Sequence, residues 1–282
     1  MIVKQSKRYC LPRKTRCFPD RDDGKINMLE ACAAAAPDWG KARRIQVEQK
    51  EKYRGNWYRR ACTRSFRGWL LLGQGNPSPY ETRTESSRCS EPLSSLADDV
   101  TATHRVVDMQ EGPVLMVGHS WGGAVITEAG NHPRVKGLVY VAAGAPDSGQ
   151  SFDDWWKPYP PAPGAAEIRP YGEGYVALTQ EGVRKHFVQD VPADEADIVF
   201  ATQGPLAVRC FSDAISKAAW RSKPSWYIVA AHDETIPPDV QRDSASRMGA
   251  ETLVLQSSHV PMLSQPEVVA EFIANAAATL EG

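Results

Sequence analysis

The stretch PVLMVGHSWGGAVITEAG, Pro113 to Gly130, sets one serine between two glycines directly after an apolar run. Gly118-His119-Ser120-Trp121-Gly122 fits G-x-S-x-G, with a short β-branched run before it and a small-residue helical pattern after it. That strand–turn–helix context separates a nucleophile elbow from a chance match. A sharp turn there projects the Ser120 hydroxyl above the end of the strand. Small residues at 118, 122 and 123 let strand and helix approach closely. The helix start places backbone N–H groups and a positive dipole end beside any oxyanion that forms. The backbone N–H of Trp121 is the expected first oxyanion donor.

An alcohol is a weak nucleophile, so it needs a base, and the base needs an orienting acid. LVLQSSHVPMLSQP puts His259 in a loop between the last strand and the last helix. IVAAHDETIPP puts Asp233 in the loop after the preceding strand. An open parallel sheet presents groups at the carboxyl ends of its strands, where both loops fall. Glu234 beside it and Asp147 after another strand are alternative acids. His119 is expected to pack under the turn, His232 to cap one, and His104, His132 and His186 to take no catalytic part. Trp155 and Trp156 are candidates for lining a substrate pocket.

The elements that must position these residues alternate. SLADDVTATHRVVDMQ has apolar residues at helical spacing behind a serine cap. PVLMVGHS, VKGLVYVAAGAP, SWYIVAAHDETIPP and AETLVLQSSH read as buried strands, and WGGAVITEAGNH, DVQRDSASRMG and PEVVAEFIANAAATL as helices. Strand and helix in alternation predict a mostly parallel sheet covered on both faces. Residues 147–222 form an insertion far longer than a crossover requires. It is expected to be a helical cap, with helices around TQEGVRKHFVQD and ADEADIVFATQG.

The chain has 282 residues and a net charge of −1, so its overall balance calls for no polyanionic partner. The charge is unevenly spread. Residues 1–91 carry 20 Lys+Arg against 10 Asp+Glu, and residues 92–282 carry 13 against 24. Five of the six cysteines (Cys10, Cys17, Cys32, Cys62, Cys89) lie in the first part, and all six histidines in the second. The basic residues are interspersed with acids, not gathered into a stripe, which speaks against nucleic acid. No CxxC pair is present, so no metal site is expected. No apolar run approaches the ~18 residues of a membrane span, and no signal-peptide core is present, so a cytoplasmic location is expected. Residues 63–91 show little strand or helix pattern and many breakers. The organisation expected is an atypical basic segment, 1–91, followed by a catalytic domain, 92–282.

Residues 92–282 resemble the α/β-hydrolase superfamily, most closely a branch of small bacterial serine hydrolases. The residues that carry this are VGHSWGG, GLVYVAAGAP, KPSWYIVAAHDETIPP and SHVPMLSQP. The resemblance implies the α/β-hydrolase fold with a helical cap, Ser120, His259 and Asp233 as the triad, and no cofactor. Members begin with a strand ending in His-Gly, whose loop gives a second oxyanion donor; residues 1–91 contain no His-Gly, so the N-terminal strands are expected to be missing or degenerate. Residues up to about 91 are expected to have been read in the wrong frame. Shifted by one nucleotide, the codons of Phe66 to Glu91 permit FADGSSWGKVIPLLMKRGLKVVAVQN, which runs into the family's segment without a gap. Asn56 to Ala61 likewise permit TGIVVH, although Cys62 cannot yield the glycine that should follow.

The expected activity is hydrolysis of a carboxylic ester or related acyl compound through an acyl-enzyme. The alternatives are a lyase or perhydrolase using the same triad, or a binding protein impaired by the missing oxyanion loop. The expected partner is a small-molecule acyl substrate, with neither nucleic acid nor membrane involved. The acyl group, the alcohol and the oligomeric state are not encoded legibly.

Overall fold

A computed structural model describes residues 70–74 and 84–280. The expectations for residues 1–69, and most of those for the shifted reading frame, lie outside the described residues. Six strands form one sheet in the order β2-β1-β3-β4-β8-β9. They are β1 (Leu70–Gln74), β2 (Thr84–Arg88), β3 (Val114–Ser120), β4 (Val135–Ala143), β8 (Ser225–Ala230) and β9 (Glu251–Leu255). The helices on its faces are α1 (Leu96–Asp108), α2 (Gly122–Ala129), α5 (Pro238–Met248) and α6 (Pro266–Thr279). The strands from β3 onward pair in parallel. β1 and β2 pair antiparallel, β1 running against β3. The breaker-rich pattern of residues 63–91 shows little sign of a strand, so these two five-residue strands are a correction.

Period-2 alternation sends each parallel strand's side chains to two cores. Val114 and Met116 of β3, Leu138 and Tyr140 of β4, and Tyr227 and Val229 of β8 face the core shared with α1, α2 and α5. Leu115, Val117, Val139, Val141, Trp226 and Ile228 face Val269, Ile273 and Ala276 of α6. Each such side chain, fully buried, stabilises the fold by ~1.5–3 kcal/mol before entropy is charged against it. The sheet therefore holds its strand ends rigidly, and the functional loops project from those ends.

The helix boundaries follow local chemistry. Ser95 caps α1 by accepting from the Asp98 N–H at 3.1 Å, with Asp98 and Asp99 in the first turn. Pro238 starts α5, and Gly249 ends it at φ +61°, the left-handed conformation glycine adopts without strain.

Between β4 and β8 the chain builds the cap. It holds α3 (Phe152–Trp156), closed by a capping box between Ser151 and Asp154, and α4 (Ala193–Thr202). It also holds a small antiparallel sheet of β5 (Ile168–Pro170), β6 (Tyr175–Leu178) and β7 (Leu206–Ala207). Helix is found in both cap segments where spacing predicts it, although one is a short turn, Gln180–Gly182, running into a π-turn, Val183–Phe187. The cap sheet is not predicted, because its strands are two to four residues long. Among the described residues no helix is long and apolar enough to cross a membrane.

Candidate active site

Ser120 ends β3 with φ +55°, a conformation that costs a non-glycine residue roughly 1–3 kcal/mol. The surroundings over-determine it. The Ser120 carbonyl accepts from the Gly144 N–H at 3.0 Å, and the β3–β4 register shifts between His119 and Ser120. Gly123 lies against the end of β4 so tightly that a Cβ would sit 2.0 Å from the Gly144 carbonyl oxygen. This is the close approach expected from the small residues of the motif. α2 begins directly after Trp121; the Ala124 N–H donates back to the Trp121 carbonyl at 2.9 Å, and the N–H groups before it start the helix without an intrahelical acceptor.

Trp121 is itself held from behind. Its indole Nε1–H donates to Asp99 Oδ2 at 2.8 Å, and Asp99 Oδ1 accepts from the Leu93 N–H at 2.8 Å. Asp99 is fully buried, and burial raises its carboxyl above the usual range while these two bonds oppose the shift. Glu91 lies nearby with Oε1 buried and without a hydrogen-bond partner among the described residues. Burial first, and then Asp99, pushes the Glu91 carboxyl well above its ordinary range.

His259 and Asp233 meet in the interior, both side chains inaccessible to solvent. His259 Nδ1 lies 2.6 Å from Asp233 Oδ2. A carboxylate oxygen that accepts here places the proton on Nδ1 and leaves Nε2 as the acceptor. Nε2 is buried and has no hydrogen-bond partner among the described residues. Asp233 is saturated with donors: Thr235 N–H at 2.7 Å and Ile236 N–H at 2.9 Å reach Oδ1, and Gln241 Nε2 at 2.7 Å reaches Oδ2. Gln241, fully buried on α5, also accepts from the Ala230 N–H at 3.0 Å, so it ties the Asp233 loop to the end of β8. The alternative acids are engaged elsewhere. Glu234 Oε2 faces His186 Nδ1 at 2.5 Å, and Asp147 pairs with Arg221.

One cap segment lies across both loops. The π-turn, marked by the Val188 N–H reaching the Val183 carbonyl, presents His186 to Glu234 and its backbone carbonyl to the Thr235 hydroxyl at 2.9 Å. Gln189 Nε2 donates to the His232 carbonyl at 2.7 Å, and Asp190 Oδ2 accepts from the Ser258 N–H at 2.7 Å. The Phe187 ring packs 4.7 Å from the His259 ring. π-turns often mark functional segments, and this one straps the Asp233 loop and the His259 loop together.

The remaining candidates separate. Trp155 is 3% exposed and donates its indole N–H to Ser244 at 2.9 Å, so it anchors the cap to α5. Trp156 is half-buried and stacks on Phe211 at 5.9 Å and 21°. His104 and His132 pack against each other at 5.3 Å, and His232 is exposed. Sequence reading missed Gln241, Asp99 and the strap. The only signal for Gln241 and Asp99 is a polar residue at a buried helical position.

The chain as a whole is similar to known proteins. A family model described as "Alpha/beta hydrolase family" matches residues 57–272. The chain is 29% identical over 205 residues to "Alpha/beta hydrolase nvfD" of Aspergillus novofumigatus, covering 67% of this chain and 80% of that protein. It is 30% identical over 207 residues to a pyrethroid hydrolase of Sphingobium wenxiniae, covering 64% of this chain and 70% of that one. Its structure is similar to that of a pyrethroid hydrolase variant, PytH (S78A), with a TM-score of 0.58 and 25% identity over 68% of this chain and 81% of the other. A polyneuridine aldehyde esterase at 19% identity shares the fold, with a TM-score of 0.56 over 66% of this chain and 80% of that one.

Proposed function

The chain belongs to the alpha/beta hydrolase family, and from that premise we propose that it cleaves carboxylic esters through an acyl-enzyme on Ser120. The observation that carries this reading is the state of His259, whose Nδ1 is engaged by Asp233 while its Nε2 is buried without a partner among the described residues. A base needs that arrangement: one nitrogen oriented by an acceptor, the other free to take a proton. The likeness to a protein named as a pyrethroid hydrolase supports the same reaction class.

In the proposed reaction Ser120 Oγ attacks the acyl carbon as its proton passes to His259 Nε2. The imidazolium is stabilised by Asp233. The carbonyl oxygen, now negative, faces the Trp121 N–H at the start of α2, where one donor is typically worth ~10²–10³ in turnover. Nε2 returns the proton to the leaving alcohol, and water repeats the sequence on the acyl-enzyme. A panel of p-nitrophenyl esters of graded acyl length tests the proposal. Turnover with a stoichiometric burst, absent in Ser120→Ala, is expected. Turnover that survives that substitution, or none across the panel, contradicts it.

A further inference from the structure

His259 follows β9, and β9 lies three strands from β3 in the sheet order. At ~4.8 Å per strand that is ~14 Å, so the base must lean back across β4 and β8 to approach the serine. Something has to hold it there. His119 Nε2 lies 2.7 Å from the backbone carbonyl oxygen of His259, a contact across 140 residues of sequence. A carbonyl only accepts, so His119 carries its proton on Nε2 and donates it. The two imidazole rings lie 4.6 Å apart, with Phe187 edge-on to His119 at 6.3 Å. Because His119 immediately precedes Ser120, this one bond joins the nucleophile's strand directly to the base's loop.

We propose that His119 is a positioning residue, a neutral tether from β3 to the His259 backbone that sets the distance between serine and base. The inference rests on the reading of Ser120 and His259 given above. Neutrality matters as much as the bond, since a cation stacked on His259 would oppose the imidazolium formed in each turnover. Burial first, and then His259, lowers the His119 pKa to about 3, which keeps it neutral across the working range.

Glutamine places its amide nitrogen near the position of an imidazole Nε2, whereas asparagine reaches only to that of Nδ1. His119→Gln is therefore expected to keep kcat within ~3-fold, while His119→Asn and His119→Phe lose ~10–100-fold in kcat at unchanged KM, the cost of misplacing a catalytic group by about 1 Å. Equal activity of the Gln and Asn variants, high or low, overturns the tether, as does a Phe variant as fast as wild type. A variant that fails to fold leaves a second test on the unaltered protein. Nitrogen NMR of its histidines is expected to show His119 protonated on Nε2 alone and not titrating between pH 4.5 and 9. A His119 that titrates near its ordinary value, or carries its proton on Nδ1, overturns the proposal. His259→Ala separates the two claims: if it remains active the base assignment fails, and if it is dead while His119→Phe is intact only the tether fails.

Discussion

Ser120 and the His259–Asp233 pair are held in place by different means. Ser120 is positioned by backbone: a strained turn at the end of a buried strand, a register shift against β4, and Gly123 pressed onto the Gly144 carbonyl. His259 and Asp233 are positioned by side chains drawn from several other elements: Gln241 on α5, His119 on β3, and the cap strap from His186 to Asp190. The first arrangement is local and brittle. The second is distributed, so that single weak members can be lost at modest cost while the central pair cannot.

That contrast orders the expected effects of substitution. On the proposed mechanism His259→Ala and Asp233→Asn carry the largest, on the order of 10⁴-fold in turnover, since members of a triad act as a unit and an asparagine fixes the wrong imidazole tautomer. Steady-state kinetics on an ester substrate checks both. A mild Asp233→Asn beside a severe Glu234→Gln would reverse the assignment of the acid. Next comes Gly123→Ala. Its Cβ would meet backbone at 2.0 Å, so the elbow must shift. A cost of ~1–3 kcal/mol in denaturant stability and up to ~100-fold in turnover is expected. Stability and activity both near wild type would show that the elbow is less rigid than its packing implies.

Smaller effects probe the edges of each region. Glu91 buries an unpartnered carboxyl oxygen beside Asp99, on the elbow's side of the molecule. Its carboxyl keeps its proton to higher pH in the folded chain than in the unfolded one. Its contribution is therefore fully present below the ordinary carboxylate range and is lost as pH rises through the raised value. Glu91→Gln is expected to be neutral near pH 4 and stabilising by ~1–3 kcal/mol at pH 8, measured by thermal unfolding. A variant no more stable at pH 8 contradicts the burial argument. Glu234→Gln, at a half-exposed pair, is expected to change stability by no more than ~1 kcal/mol and turnover by less than 10-fold. A severe loss would make the strap, rather than the Asp233 network, the main support of the base.

Legibility from sequence follows the same division. The elbow is readable because strand, glycine turn and small-residue helix are contiguous, so local sterics alone specify the geometry. The loops of Asp233 and His259 are readable as strand-end positions, and the parallel strands from Val114 onward as continuous apolar runs. Gln241 is not, because one glutamine on a polar-faced helix looks solvated until α5 is docked against β8. The cap sheet is hidden by strands too short to show alternation. β1 and β2 are hidden because LLLGQ and TESSR carry no period. Trp155 and Trp156 are neighbours in sequence, yet helical rotation sends one to the α5 interface and leaves the other stacked on Phe211.

The central claim is that Ser120 is a nucleophile activated by His259, and an active-site fluorophosphonate tests it most directly. Peptide mass spectrometry of the labelled full-length protein should find a single adduct, on Ser120. Labelling should be slowed by several orders of magnitude in His259→Ala and lost in Ser120→Ala. An adduct on another residue, or labelling of Ser120 at the same rate without His259, would contradict the account.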